Sequence, residues 1–234
     1  VHCTTKTRNS CYRIRVMKTN YFVRHGQSEG NEGRVWVDGT SPLSVKGKEQ
    51  ARVVAERFTK LPVDIVVSSS MNRAIETARI IAERIDKKTE QSDLFGERRH
   101  PSIVYGKIRT DPEAMKVSQE VRENFHLPGY RHSDEENFDD FKKRSLACLK
   151  YLEDRSEQNI LVVTHGFFLR ILMAAAIFGD ELTGQECEGF IRSLQMNNTG
   201  ITIIRLRDAP YQLSTGEQAS KWEFRVWNDH AHLG

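Results

Sequence analysis

Three short clusters hold the residue types best suited to chemistry: Arg24-His25-Gly26, the run Ser68-Ser69-Ser70-Met71-Asn72-Arg73, and Thr164-His165-Gly166. An imidazole can act as a nucleophile or carry a proton near neutral pH. A guanidinium offers a rigid fork of donors that matches phosphate or carboxylate oxygens. Each cluster follows a short apolar run, which puts these groups at strand ends, and the glycine after each histidine lets backbone approach a ligand closely. Arg73 opens a helical pattern, where free backbone N–H groups already favour anions. Taken singly, each has a plainer reading: His25 as a strand cap, Arg73 as a solvated side chain, His165 as a hydrogen-bonded core histidine. Their recurrence at three strand ends argues for one anion-binding site.

The elements that must bring them together alternate along the chain. Apolar runs at residues 20–23, 63–67 and 160–163 read as buried strands, and residues 201–206 and 222–227 as closing strands. Ser44 is placed to cap a helix that carries Ala51, Val54, Ala55 and Phe58 on one face. A second helix begins near Asn72, with Ala74, Ile75, Ala78, Ile81, Ala82 and Ile85 on its apolar side. Phe138, Phe141, Ser145, Leu149 and Leu152 mark a third, and a buried helix, apolar apart from Arg170, follows His165 as far as Phe178. Residues 97–136 are polar, contain Pro101, Pro112 and Pro128, and allow one helix between Pro112 and Leu127. This order predicts a three-layer α/β/α sandwich with a mostly parallel central sheet and a helical cap insertion at 97–136. Ligands of such sheets bind beyond the carboxyl ends of the strands, where the three clusters fall.

Taken jointly, the motifs resemble the histidine phosphatase superfamily in its phosphoglycerate-mutase-like branch. The likeness rests on Tyr21-Phe22-Val23-Arg24-His25-Gly26-Gln27-Ser28-Glu29-Gly30-Asn31, on Pro42-Leu43-Ser44 with Gly47 and Gln50-Ala51, on residues 68–78, and on Val162-Val163-Thr164-His165-Gly166. The closing Asn228-Asp229-His230-Ala231-His232-Leu233 is also similar to the family pattern. Glu29 and Asn31 stand where the secreted acid-phosphatase branch carries Arg and Pro. The resemblance covers residues 19–233, with 97–136 divergent.

The resemblance implies a metal-independent phosphatase without a cofactor, acting on phosphate monoesters. His25 is then the nucleophile that forms a phosphohistidine, while Arg24, Arg73 and His165 surround the phosphoryl oxygens and Asn31 adds a neutral donor. Clustered cations disfavour protonation of His25. The family's general acid/base, a glutamate after the second arginine, corresponds best to Glu97, with Asp93 its competitor. His165 thus counts both as catalytic and as a phosphate ligand. The substrate is a small phosphate ester or a phosphoprotein. Mutases of this branch carry an Arg-Tyr-Gly-type stretch after the glutamate, whereas this chain runs Arg98-Arg99-His100-Pro101-Ser102. Phosphatase is therefore the first reading, phosphoglycerate mutase the second, and a phospho-ligand-binding module without turnover the third. Arg98, Arg99, His100 and Lys107 either face a second acidic group of the substrate or form a solvated face. His100, His126 and His132 are expected towards solvent or substrate. His230 and His232 lack the neighbours of a zinc site.

Composition narrows the partners. The net charge of +3 is concentrated in Lys6, Arg8, Arg13, Arg15 and Lys18; without these five the chain carries 30 basic against 32 acidic residues. A nearly neutral body argues against a nucleic-acid footprint. The greasiest stretch, residues 167–178, is too short to span a bilayer. Cys3, Cys11, Cys148 and Cys187 form no CxxC pair, which fits free thiols in a reducing cytoplasm. Residues 1–17 lack a signal-peptide core and read as a leader outside the fold, either an extension ahead of Met17 or a weak transit-like segment; residues 18–234 read as a single domain.

Overall fold

Apolar side chains alternate along the central strands and send neighbouring residues to opposite faces, which sets the layering of the molecule. In this computed structural model, residues 17–33, 35–208 and 220–234 are described. The elements run β1 (Lys18–Arg24), α1 (Glu29–Glu32), α2 (Val45–Phe58), β2 (Ile65–Ser68), α3 (Asn72–Ile85), β3 (Thr89–Gln91), α4 (Pro112–Asn124), α5 (Phe138–Asp154), β4 (Asn159–Thr164), α6 (Gly166–Phe178), α7 (Gly184–Ser193), β5 (Ile201–Leu206) and β6 (Trp222–Asp229). The six strands form one sheet in the order β3-β2-β4-β1-β5-β6. β1, β2, β3 and β4 pair in parallel, while β5 runs antiparallel to both β1 and β6.

On one face Tyr21, Val23, Val66, Leu161 and Val163 pack against Val54, Ala55 and Phe58 of α2 and Ala74, Ala78 and Ile81 of α3. On the other, Phe22, Val67, Ile160 and Val162 meet Phe141, Leu149 and Leu152 of α5 and Phe168, Leu169 and Leu172 of α6. Each large side chain buried this way contributes roughly 1.5–3 kcal/mol. This is the expected α/β/α sandwich. Ser44 caps α2 by accepting from the Gly47 N–H, and α3 begins at Asn72, both as read from the sequence.

The structure corrects several details. Lys18, one of the five basic residues set apart above from the nearly neutral body, opens β1, and its ammonium donates to the carbonyls of Leu152, Glu153 and Arg155 at the end of α5. Residues 1–16 of the leader lie outside the described residues, as do Cys3 and Cys11. β3 and α7 had no counterpart in the sequence reading. β3 is three residues long and exposed throughout, so no apolar pattern marks it. In the 97–136 stretch, Val104, Ala114, Val117 and Val121 form a small core of their own with Trp36. That core draws in the loop after α1: the Trp36 N–H donates to Lys107 O at 2.9 Å, and the Gly106 N–H to Trp36 O at 2.9 Å. Among the described residues no helix is long and apolar enough to cross a membrane.

Candidate active site

β1 and β4 lie side by side in register, with Arg24 opposite Thr164. Their carboxyl ends therefore deliver His25 and His165 to adjacent positions, and the ring centroids lie 5.0 Å apart. β2, on the far side of β4, delivers Ser69 and then Arg73 in the first turn of α3. The three clusters share one site.

His25 is almost wholly buried. Its Nδ1–H donates to the Gly26 carbonyl at 2.7 Å, which leaves Nε2 without a proton; there it accepts from Arg73 Nε at 3.2 Å. Burial, then Arg73 and Arg24, hold the imidazole well below its ordinary pKa. His165 is fully buried behind His25. Ser69 Oγ accepts from the Met71 N–H at 3.2 Å and is hydrogen-bonded to His165 Nε2 at 2.8 Å. His165 Nδ1 has no hydrogen-bond partner in the protein. Burial and His25 keep this ring neutral too.

Arg24 and Arg73 are held differently. The Arg24 head donates to Met196 O, while its buried Nε has no partner. Gly166, the first residue of α6, touches that guanidinium: a Cβ there would lie 3.2 Å from Arg24 Nε. Arg73 Nη1 donates to Asp38 O at 3.3 Å. Burial lowers both guanidinium pKa values, with Glu97 acting in the opposite sense.

Glu97 reaches the site from the turn after Asp93–Phe95. Thr164 donates to Phe95 O at 2.7 Å, and Arg144 of α5 donates to the Leu94 and Gly96 carbonyls at 2.9 and 2.8 Å. Arg144 is itself fixed by a bidentate pair with Glu136 at 2.6 and 2.7 Å. The Glu97 carboxylate accepts from the backbone N–H of Arg98 at 3.0 Å and of Phe168 at 3.1 Å. Asp93, by contrast, is exposed and takes the Ser70 hydroxyl. Only Glu97 of the two lines the cavity.

That cavity, about 180 Å³, is lined by Arg24, His25, Ser28, Asn31, Arg73, Glu97 and Arg98, and by Trp36, Val37, Asp38, Met71, His100, Tyr105, Arg109 and Phe167. Asn31 Oδ1 accepts from Ser28 Oγ at 2.7 Å, which leaves its amide N–H groups free to donate. His165 is the one expected site residue that does not line the cavity. Of the four cap residues weighed above, Arg98 and His100 face it. Arg99 is exposed and donates to Asp134 O, and Lys107 pairs with Glu113, so these two serve the surface. His126 and His132 are half-buried beside Glu188 and Glu120, not turned freely to solvent. Trp36, Asp38, Tyr105, Arg109 and Phe167 escaped the sequence reading, as did Ser69's role. A lone tryptophan in a polar, Gly-containing loop was the one available signal. Among the described residues no three His, Cys, Asp or Glu side chains converge as a metal ion would require.

The family model of the histidine phosphatase superfamily (branch 1) matches residues 20–217. The chain belongs to this family. It is 31% identical to phosphoglycerate mutase-like protein 4 of Arabidopsis thaliana over 221 residues, 90% of this chain and 85% of that protein. Bacillus stearothermophilus YhfR has the same fold, with TM-score 0.72, 26% identity and coverage of 92% and 99% of the two chains. A mycobacterial glucosyl-3-phosphoglycerate phosphatase superposes with TM-score 0.70 at 23% identity, covering 90% of this chain and 98% of its own. Membership of this superfamily makes the chain an enzyme of phosphate esters.

Proposed function

We propose that the chain is a phosphatase that hydrolyses phosphate monoesters through a phosphohistidine on His25, without a metal ion. The observation that carries this reading is the fixed tautomer of His25, whose unprotonated Nε2 stands at a cavity whose lining includes Arg24, Arg73 and Glu97. In the first step Nε2 bonds to phosphorus while the P–O ester bond breaks, and Glu97 as a carboxylic acid gives its proton to the leaving alkoxide. In the second, water attacks the phosphohistidine, its proton returns to Glu97, and His25 is released with inorganic phosphate. Arg24, Arg73 and Asn31 donate to the three equatorial oxygens as charge builds on them. His165, its ring 5.0 Å from that of His25 and its Nδ1 without a partner in the protein, is the further phosphoryl ligand of this reading.

The leaving group is read by the cap, residues 97–136, together with Trp36. Arg98 is buried against the edge-to-face pair Phe125 and Phe167, with its guanidinium carbon 4.5 and 5.1 Å from the two rings. Its Nε and Nη2 have no partner, and burial brings its pKa down to about 10. With Arg109 beside it, this corner suits an ester whose alcohol part carries a second acidic group. The phosphoglycerate-mutase reading draws support from the Arabidopsis relative, but the pairing of Lys107 with Glu113 removes one of the basic groups available to hold a bisphosphate.

Quenching a burst in alkaline detergent with a ³²P-labelled ester and digesting the product tests the reading. Label that survives alkali, is lost in acid and maps to the His25 peptide supports it, and His25→Ala should leave neither label nor turnover. Turnover that stops on chelation, or 3-phosphoglycerate interconversion that needs a bisphosphate primer, overturns it.

A further inference from the structure

The family-like C-terminal motif has no part in the chemistry above, yet it reaches the back of the site through the loop at 196–200. That loop carries both catalytic neighbours. Met196 O accepts from the Arg24 head, Asn198 Nδ2 donates to His25 O at 2.9 Å, the Thr199 N–H donates to Arg24 O at 2.9 Å, and the Arg24 N–H donates to Gly200 O at 3.3 Å.

At its centre Thr199 is fully buried with φ +56°. A β-branched residue in the left-handed region costs on the order of 1–3 kcal/mol, and it persists only where its surroundings over-determine it. Asn228 and His232 are those surroundings. Asn228, itself at φ +48°, accepts from the Asn197 N–H at 2.9 Å and donates to Asn197 Oδ1 at 3.1 Å. Its side chain occupies the space a Cβ on Gly200 would need. Thr199 Oγ1 lies 2.7 Å from Asn198 O and 3.0 Å from His232 Nε2. A carbonyl can only accept, so the hydroxyl proton goes to Asn198 O and His232 Nε2–H donates to the hydroxyl. His232 Nδ1 is then the acceptor for Arg57 Nη1 at 3.4 Å, and Arg57 pairs with Asp229 at 2.5 Å. A neutral ring is what this arrangement needs, and burial and Arg57 lower its pKa accordingly.

We infer that residues 228–232 are a latch: through Asn228 and His232 they hold Thr199 in its strained conformation, and Thr199 and its neighbours in turn set Arg24 and His25. His232 is thus a positioning residue, 207 positions beyond the nucleophile in sequence. The inference rests on the phosphatase reading only for its activity assay.

Steady-state hydrolysis of p-nitrophenyl phosphate and amide hydrogen exchange test it together. His232→Ala should lower kcat about tenfold and speed exchange of the Arg24 amide. His232→Gln, which keeps a donor towards Thr199, should retain more than half of kcat. The decisive variant is His232→Ala combined with Thr199→Gly, because glycine adopts φ +56° at no steric cost and needs no latch. Recovery of kcat to within about threefold of the parent supports the latch, since a tail that merely stabilises the fold gives no such rescue. Unchanged kcat and exchange in His232→Ala, or a loss that Thr199→Gly fails to reverse, overturns it. If the parent chain hydrolyses no ester, the exchange rates alone decide between these outcomes.

Discussion

Arg73 Nε points its proton at His25 Nε2 over 3.2 Å, on the side of the ring opposite the bond from Nδ1–H to Gly26 O. One histidine is thereby fixed in tautomer by its own backbone and shielded from protonation by an arginine from another element. A phosphoryl group arriving at Nε2 must displace that N–H contact, and the freed guanidinium fork then faces the incoming oxygens. In the proposed reaction this couples nucleophile and anion clamp through a single atom.

Arg73→Lys keeps the charge but loses the planar fork and the Nε contact. A single missing donor at a developing oxyanion costs about 10²–10³ in rate, so kcat/KM for p-nitrophenyl phosphate should fall by about that factor with little change in melting temperature. A fall of less than tenfold would remove Arg73 from the phosphoryl clamp.

Glu97 and Asp93 separate by leaving group. Only poor leaving groups need a proton, and general acid catalysis contributes about 10²–10⁴. Glu97→Gln should therefore slow an alkyl phosphate by at least about 100-fold and p-nitrophenyl phosphate much less, whereas Asp93→Asn should leave both within about twofold. Equal losses on the two esters in Glu97→Gln would contradict the assignment.

These assignments show how far the chain could be read without coordinates. The three strand-end clusters were legible because each follows an uninterrupted buried strand, and parallel pairing forces such ends together. Glu97 was legible only by resemblance: its position depends on Arg144 and Thr164, distant residues that hold the turn before it by its carbonyls. Trp36 offered only the signal of a lone tryptophan in a polar loop, and Arg109 none. Their place in the cavity depends on a cap core built from two segments some seventy positions apart, which no local periodicity encodes. The orienting bond from Ser69 to His165 was hidden in a run of three serines that reads as a turn.

Buried histidines also set a pH dependence. His25 and His165 lie well below their ordinary pKa, and His100 is brought down to about 3 by burial and by Arg98 and Arg109. The unfolded chain binds these protons near pH 6.5 while the folded chain does not. Their contribution to stability is therefore complete above about pH 6.5 and is lost as pH falls, at up to about 1.4 kcal/mol per pH unit for each ring. Urea unfolding at pH 7, 6 and 5 should show this decline. His100→Leu should flatten it by one proton's worth, and an unaltered slope in that variant would show His100 to be protonated in the fold. The acid limb of kcat/KM should correspondingly lie below pH 6.5.

Arg98 makes a prediction about selectivity. With its guanidinium packed against Phe125 and Phe167 and its Nε and Nη2 unsatisfied, truncation to Met keeps apolar volume against the rings and removes the donors. Arg98→Met should lower kcat/KM for an ester bearing a carboxylate by about 10–100-fold more than for its uncharged analogue, in line with a charge-assisted hydrogen bond of about 1.5–3 kcal/mol. Equal effects on the two esters would assign Arg98 to holding the cap alone.

Gly47 couples the sandwich to the nucleophile's turn. A Cβ on Gly26 would stand 2.5 Å from Gly47 O, and a Cβ on Gly47 would run into the Gln27 carbonyl. Both obstacles are backbone, which cannot rotate away as a side chain can. In an ordinary helix interior Gly→Ala stabilises by about 0.5–1 kcal/mol; in α2 the sign should reverse, because the added methyl must push the 25–28 turn off the helix. Gly47→Ala should therefore lower the melting temperature and kcat together, whereas Lys46→Ala, one residue away and exposed, should do neither. A Gly47→Ala chain that melts no lower and turns over normally would show that α2 does not bear on the position of His25.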